Sequence, residues 1–141
     1  KTINNFYLKK LKIKPKIGVL GLNPHNYEMT RDSEEVKIII PAINSLRRKK
    51  ISVFGPLSTD TSFMNFRKKK FNVLVGMYHD QVLAPFKTIF KFDAINITLG
   101  ISFLRISPDH GIGSEIIKKN LANPKSLIES IKFLKKINVK V

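Results

Sequence analysis

The sequence predicts an α/β layered domain, and three observations carry that prediction. Short apolar runs ending in Gly, Pro or Asn alternate with stretches of helical period, as in sheets covered by helices. One nearly continuous apolar run, residues 71–78 (FNVLVGMY), has the character of a strand buried on both faces of a parallel sheet. Polar residues follow the ends of the runs, where open α/β sheets bind their ligands.

Taken in order, residues 16–22 (KIGVLGL) read as a buried strand that feeds the loop begun by Asn23-Pro24. Residues 33–50 read as a helix. Val36, Ile39, Ile40, Ile43 and Leu46 recur at three- and four-residue spacing, acidic residues open the segment, and basic residues close it in keeping with the helix dipole. Pro41 lies inside it and predicts a kink or two abutting helices. Residues 51–54 form a second short strand, which Gly55-Pro56 turns into the polar segment 57–61. Residues 71–78 are the strongest strand. Residues 94–99 and 103–106 are two more, around a turn at Gly100, and residues 124–136 are a closing amphipathic helix with Leu127, Ile128, Ile131 and Leu134 inward. No internal repeat or flexible linker interrupts the order.

At 141 residues and 43% hydrophobic, the chain has apolar material for one ordinary core, so one domain or one large piece of a domain is expected. No apolar run of membrane-spanning or signal-peptide length occurs, which predicts a soluble, cytoplasmic protein with no membrane partner. Cysteine is absent, which excludes disulfides, thiolate zinc sites and a Cys nucleophile. The net charge of +16 invites a polyanion-binding reading. The positive residues, however, are mostly Lys in scattered short runs, without an Arg stripe, an aromatic RNA-binding pattern or zinc-finger spacing. With Ile and Asn also abundant, we read the charge as compositional bias. A basic protein for nucleic acid or anionic surfaces is the lesser alternative.

The three histidines all lie in loop contexts a few residues beyond predicted strands: Asn23-Pro24-His25, Tyr78-His79-Asp80 and Asp109-His110-Gly111. A lone loop histidine is ordinarily a surface or capping residue. Imidazole is also the commonest metal ligand, and histidines from separate strand ends can converge on one ion.

Five segments then carry a resemblance: GLNPH at 21–25, GPLSTDTSF at 55–63, MYHDQVLAPFK at 77–87, NITLGISFLRIS at 96–107 and DHG at 109–111. In this order and spacing they resemble the 4-hydroxythreonine-4-phosphate dehydrogenase family of pyridoxal phosphate biosynthesis. The likeness runs from about Lys16 onward. It implies that residues 1–141 are the C-terminal portion of such a protein, a partial isocitrate/isopropylmalate dehydrogenase-like fold whose family members are homodimers with an active site shared between subunits. It further implies NAD- (or NADP-) dependent oxidation, with decarboxylation, of 4-phosphooxy-L-threonine, assisted by a divalent metal such as Zn, Co or Mg.

Carried over by matching position, the resemblance makes His25 and His79 two of the family's metal ligands. Lys87, Asn96 and Arg105 become the substrate-binding residues. A Lys point charge, an Arg fork and an amide suit a phosphorylated hydroxy acid. Asn96, inside an apolar strand, reads as a buried amide in need of partners. Asp60 and Asp80 match acidic positions near the metal and take a proton-handling or outer-shell role, although Asp80 could instead cap a helix starting after His79. His110, Gly111 and Asn123 match the segment that holds the adenosine part of the cofactor. The Gly-x-Gly at 111 and 113 is not itself a dinucleotide fingerprint.

The sequence also departs from the family pattern. Asn26-Tyr27-Glu28-Met29-Thr30 replaces small residues after His25, and Ile112-Gly113 and Lys118-Lys119-Asn120 replace small residues after the DHG turn. Family members are over twice as long, and their first half supplies the third metal histidine. An inactive or split-gene fragment is therefore one alternative function. A dehydrogenase of a related phosphorylated hydroxy acid, such as a four-carbon sugar-acid phosphate, is another.

Overall fold

The structure is a computed structural model that describes residues 1–24, 30–64, 68 and 71–137. It is α/β with a parallel sheet, as the sequence predicts. Where composition leads to one core, the chain divides into two compact units, Ile3–Phe86 with Lys1, and Lys87–Val141 with Thr2.

The first unit opens with a helix the sequence reading did not anticipate, α1 (Thr2–Phe6), which runs into a π-helical turn, Tyr7–Leu11, and stops where Lys12 takes a left-handed conformation. Strand β1 (Ile17–Leu20) follows, buried at all four positions. It is the centre of a three-stranded sheet, with β2 (Val53–Leu57) parallel on one side and β3 (Val73–Val75) parallel on the other. Ile17 pairs with both Val53 and Val73, so the hydrophobic effect and two hydrogen-bond ladders coincide at one position.

The covering helix comes in two pieces, as Pro41 predicts. A π-helical turn, Glu35–Ile39, abuts α2 (Ile40–Arg48), and the proline occupies the first turn of α2, where a missing N–H breaks no hydrogen bond. Ile39 and Ile43 meet Ile17, Val19 and Val53 in the core, with Leu46, Ile51, Val73 and Val75 packed around them.

Two strand expectations change. The second strand does not turn at Gly55-Pro56: β2 continues through both residues to Leu57, with a register shift against β1. Gly55 permits this because it sits at φ +140°, and a Cβ there would lie 2.4 Å from the Val19 carbonyl oxygen. The run 71–78 forms only Val73–Val75, and it lies at the sheet edge, half-buried, not at the centre. Its last residues leave the sheet because the Met77 N–H bonds to the Gln81 side chain, which turns Met77 and Tyr78 toward solvent. Short α3 (Thr59–Met64) follows β2, and α4 (His79–Phe90) follows β3.

In the second unit, β4 (Ile95–Thr98) and β5 (Arg105–Pro108) form an antiparallel pair around Gly100, which has φ +93°. Helix α5 (Lys125–Lys136) packs on this pair. Its expected inward face is not the observed one. Leu127, Ile128 and Ile131 are exposed, Leu134 is half-buried, and Ser126, Ser130 and Ile137 are buried. The Ser126 hydroxyl accounts for that rotation: it donates to the Ala94 carbonyl and accepts the Asp109 N–H, two backbone groups at the open end of the ribbon that need partners. Among the described residues, no helix is long and apolar enough to cross a membrane.

Candidate active site

The first unit gathers its polar groups at the carboxyl ends of the three parallel strands. After β1, the chain turns at Gly21–Asn23. The amides of Leu22 and Asn23 both donate to Glu35 Oε1, at 2.7 and 2.8 Å. Glu35 is only 1% exposed, and among the described residues its Oε2 has no partner. Burial alone would raise its carboxyl pKa. The donated amides outweigh burial and hold it below the ordinary glutamate value.

After β2, Asp60 lies in the first turn of α3, accepting hydrogen bonds from the Ser58 hydroxyl and, at 2.7 Å, from the Thr61 N–H. After β3, His79 begins α4, so Asp80 is inside the first turn and not a cap before it. The Asp80 carboxylate lies 2.6 Å from His79 Nδ1. Thr59, Asp60, Phe63, Tyr78, Asp80 and Gln81 line an open cleft of about 340 Å³, which brings the two predicted acidic residues to one place. His25 and residues 26–29 of the substituted loop after it lie outside the described residues.

The donor chemistry at this edge suits one divalent-metal ligand. The His79 imidazole is largely exposed, and a carboxylate on Nδ1 leaves Nε2 as the nitrogen available to an ion, an arrangement usual for metal-binding histidines. Among the described residues, no three His, Asp or Glu side chains gather closely enough to hold an ion by themselves.

The second unit carries the predicted substrate and cofactor residues. Register places Asn96 opposite Ser107 and Thr98 opposite Arg105, so these four polar side chains share one face of the ribbon, while Ile95, Ile97, Ile106 and Pro108 share the other. Asn96 is therefore exposed on a polar face, which corrects the expectation of a buried amide: alternation along the strand turned it outward. Arg105 donates to Thr98 Oγ1 at 3.1 Å. Lys87 pairs with Asp109, Nζ to Oδ1 at 3.2 Å. His110 and Gly111 are exposed, with His110 Nδ1 2.9 Å from the Gly111 carbonyl. Asn123 Oδ1 accepts the Lys125 N–H at 2.9 Å, an Asx turn leading into α5.

Sequence reasoning missed Glu35 and Gln81. Glu35 reads only as an acidic residue at a helix start, and Gln81 only as one of the polar residues after the strand 71–78; the one signal for Gln81 was its place inside the MYHDQVLAPFK segment, and nothing in sequence marked Glu35. Each is buried, and each ties down backbone at the strand ends.

Comparison with known proteins fits this arrangement. The family model for pyridoxal phosphate biosynthetic protein PdxA matches residues 1–134. A 4-hydroxythreonine-4-phosphate dehydrogenase from Sulfurihydrogenibium sp. is 47% identical over 133 residues, covering 93% of this chain and 41% of that protein. The 4-hydroxythreonine-4-phosphate dehydrogenase structure from Klebsiella pneumoniae superposes with a TM-score of 0.79 at 35% identity, covering 96% of this chain and 41% of the other. A terephthalate 1,2-cis-dihydrodiol dehydrogenase from Burkholderia xenovorans has a TM-score of 0.72 at 27% identity, covering 99% and 45%. The chain spans about two fifths of the length of these relatives. With strand ends, cleft and polar ribbon all carried on matched residues, the chain belongs to the PdxA family.

Proposed function

We propose that this chain is the C-terminal portion of a cytoplasmic, homodimeric dehydrogenase that oxidises 4-phosphooxy-L-threonine in pyridoxal 5'-phosphate synthesis, using NAD and a divalent metal. The observation that carries the reading is the His79–Asp80 pair at the carboxyl end of β3, an imidazole already oriented by a carboxylate at 2.6 Å. The names of the relatives support the substrate and the reaction class.

His79, with His25, would hold the ion. When bound, the metal would supply Lewis-acid polarisation of the substrate hydroxyl, and NAD would accept the hydride from the same carbon. Asp80 holds the His79 ring in the tautomer that presents Nε2. Asp60, in the same cleft, is placed to take or return a proton. On the ribbon, Asn96 and Arg105 offer an amide and a guanidinium fork to an oxyanion, and Lys87 adds a point charge. His110, Gly111 and Asn123 take the cofactor's adenosine end. Oxidation of the hydroxyl next to the α-carbon gives a 3-oxo acid, which releases carbon dioxide because its ketone accepts the electrons. The related dihydrodiol dehydrogenase favours a second reading on the same residues, a different hydroxy substrate such as a sugar-acid phosphate.

The test is calorimetric titration of the chelator-stripped chain with zinc, beside a His25→Ala/His79→Ala variant. Binding near one ion per chain that the variant abolishes is the expected result. Equal heats from both proteins would sink the metal reading.

A further inference from the structure

Two buried side chains converge on the segment leaving β1. Gln81, 5% exposed, donates from Nε2 to the Gly21 carbonyl at 2.6 Å and to Thr59 Oγ1 at 3.0 Å, and accepts the Met77 N–H on Oε1 at 2.6 Å. One amide thereby joins the chain after β1, the chain after β2 and the turn after β3. Glu35 holds the next two residues, Leu22 and Asn23, through their N–H groups. Gly21, Leu22 and Asn23 are thus fixed by side chains 60, 13 and 12 residues away in sequence, with Gly21 also donating to the Leu57 carbonyl at 2.9 Å.

Only an amide meets these demands. A buried carboxylate at 81 would face the Gly21 carbonyl acceptor to acceptor, and an apolar side chain would leave the Met77 N–H and Gly21 carbonyl without partners. The approach needs bare backbone at Gly76, where a Cβ would meet Val82 Cγ1 at 2.5 Å and Gln81 Oε1 at 3.2 Å.

We propose that Gln81 is a positioning residue that couples the segment 21–23 to the turn presenting His79, so that the chain leaving β1 and His79 are held in fixed register. The coupling stands on hydrogen bonds alone; its consequence for metal binding rests on the function proposed above.

The test is amide hydrogen exchange on the full chain, with cobalt(II) titration alongside. Gln81→Glu keeps an acceptor for Met77 and loses both donors. It should leave the Met77 amide protected, speed exchange at Leu22 and Asn23 at least tenfold relative to Val19, and weaken cobalt binding about tenfold. Gln81→Met should expose all three amides. Exchange at Leu22 and Asn23 that matches the unmutated chain, or that rises only in step with Val19, would overturn the coupling. Undiminished cobalt affinity in a variant whose segment has loosened would overturn the positioning role of Gln81 toward the metal. An unmutated chain that binds no cobalt removes the metal reading alone, and the exchange pattern then decides the coupling. Native-state exchange of the unmutated chain guards against variants that fail to fold. There Leu22, Asn23 and Met77 should open together with one free energy and one denaturant slope, and separate openings would overturn the proposal.

Discussion

Lys87 Nζ lies 3.2 Å from Asp109 Oδ1, so the cation proposed above to meet the substrate is paired with the carboxylate that begins the Asp-His-Gly turn. On that proposal, a phosphate bound by Lys87 would compete with that carboxylate for the ammonium. Asp109→Asn should therefore raise affinity for inorganic phosphate roughly two- to fivefold, the scale set by a partly exposed ion pair, while lowering stability by no more than about 1 kcal/mol. A phosphorus NMR titration checks this; Lys87→Met should lose the gain. Weaker phosphate binding by Asp109→Asn would mean that the carboxylate holds Lys87 in its productive place and does not compete for it.

Glu35 predicts an acid-side loss of stability. Its folded pKa lies below the ordinary glutamate value because the Leu22 and Asn23 amides stabilise the ionised form. The native state thus binds fewer protons than the unfolded chain through that window. The stabilisation is complete above the unfolded value near 4.3 and drains away as pH falls through the folded pKa. Glu35→Gln should cost roughly 2 kcal/mol at neutral pH, as loss of charged hydrogen bonds in a buried place. It should also flatten the decline as pH falls through and below the ordinary glutamate value. Urea midpoints across that range give the comparison, and parallel curves for the two proteins would refute the assignment.

Which features could be read from sequence follows from how local their causes are. The split at Pro41 was legible because a missing N–H and a fixed φ act within one turn. So was the placement of His79 and Asp80 beyond a strand end. Gly55-Pro56 was read as a turn, yet it continues β2, because what decides the matter is the Val19 carbonyl on the neighbouring strand. The α5 face was misjudged for a related reason. Apolar spacing favoured Leu127, Ile128 and Ile131, but the needs of the Ala94 carbonyl and Asp109 amide turned Ser126 inward. Asn96 was expected inside and is outside because its strand alternates, with Ile95 and Ile97 on the opposite face.

Gly55 and Gly76 should respond differently to alanine. At Gly55 the new Cβ would meet a backbone carbonyl at 2.4 Å with φ at +140°, and neither can relax without moving β1. At Gly76 the obstacle is the Val82 and Gln81 side chains, which can shift. Gly55→Ala should cost well over 3 kcal/mol and compromise folding, whereas Gly76→Ala should cost about 1–3 kcal/mol. Gly76→Ala should also speed exchange at Met77, since the displaced Gln81 Oε1 is that amide's acceptor. Soluble yield and denaturant midpoints rank the two, and the reverse ranking would contradict the packing described.

Ser126 and Ser130 lie one turn apart on the buried face of α5, yet their hydroxyls do unlike things. Ser126 bridges two elements: it satisfies the Ala94 carbonyl at the start of β4 and the Asp109 amide at the end of β5. Ser130 donates back to the Ser126 carbonyl at 2.8 Å, within its own helix, where that carbonyl already has a helical partner available. Ser126→Ala should leave two part-buried backbone groups unpaired and cost about 2–4 kcal/mol, whereas Ser130→Ala should change stability by less than about 1 kcal/mol. Because Asp109 holds Lys87, Ser126→Ala should also alter phosphate binding while Ser130→Ala leaves it unchanged. Chemical denaturation and the same phosphorus titration read both effects. Equal costs for the two serines would mean that apolar packing, and not the Ser126 bridge, sets the rotation of α5 on the ribbon.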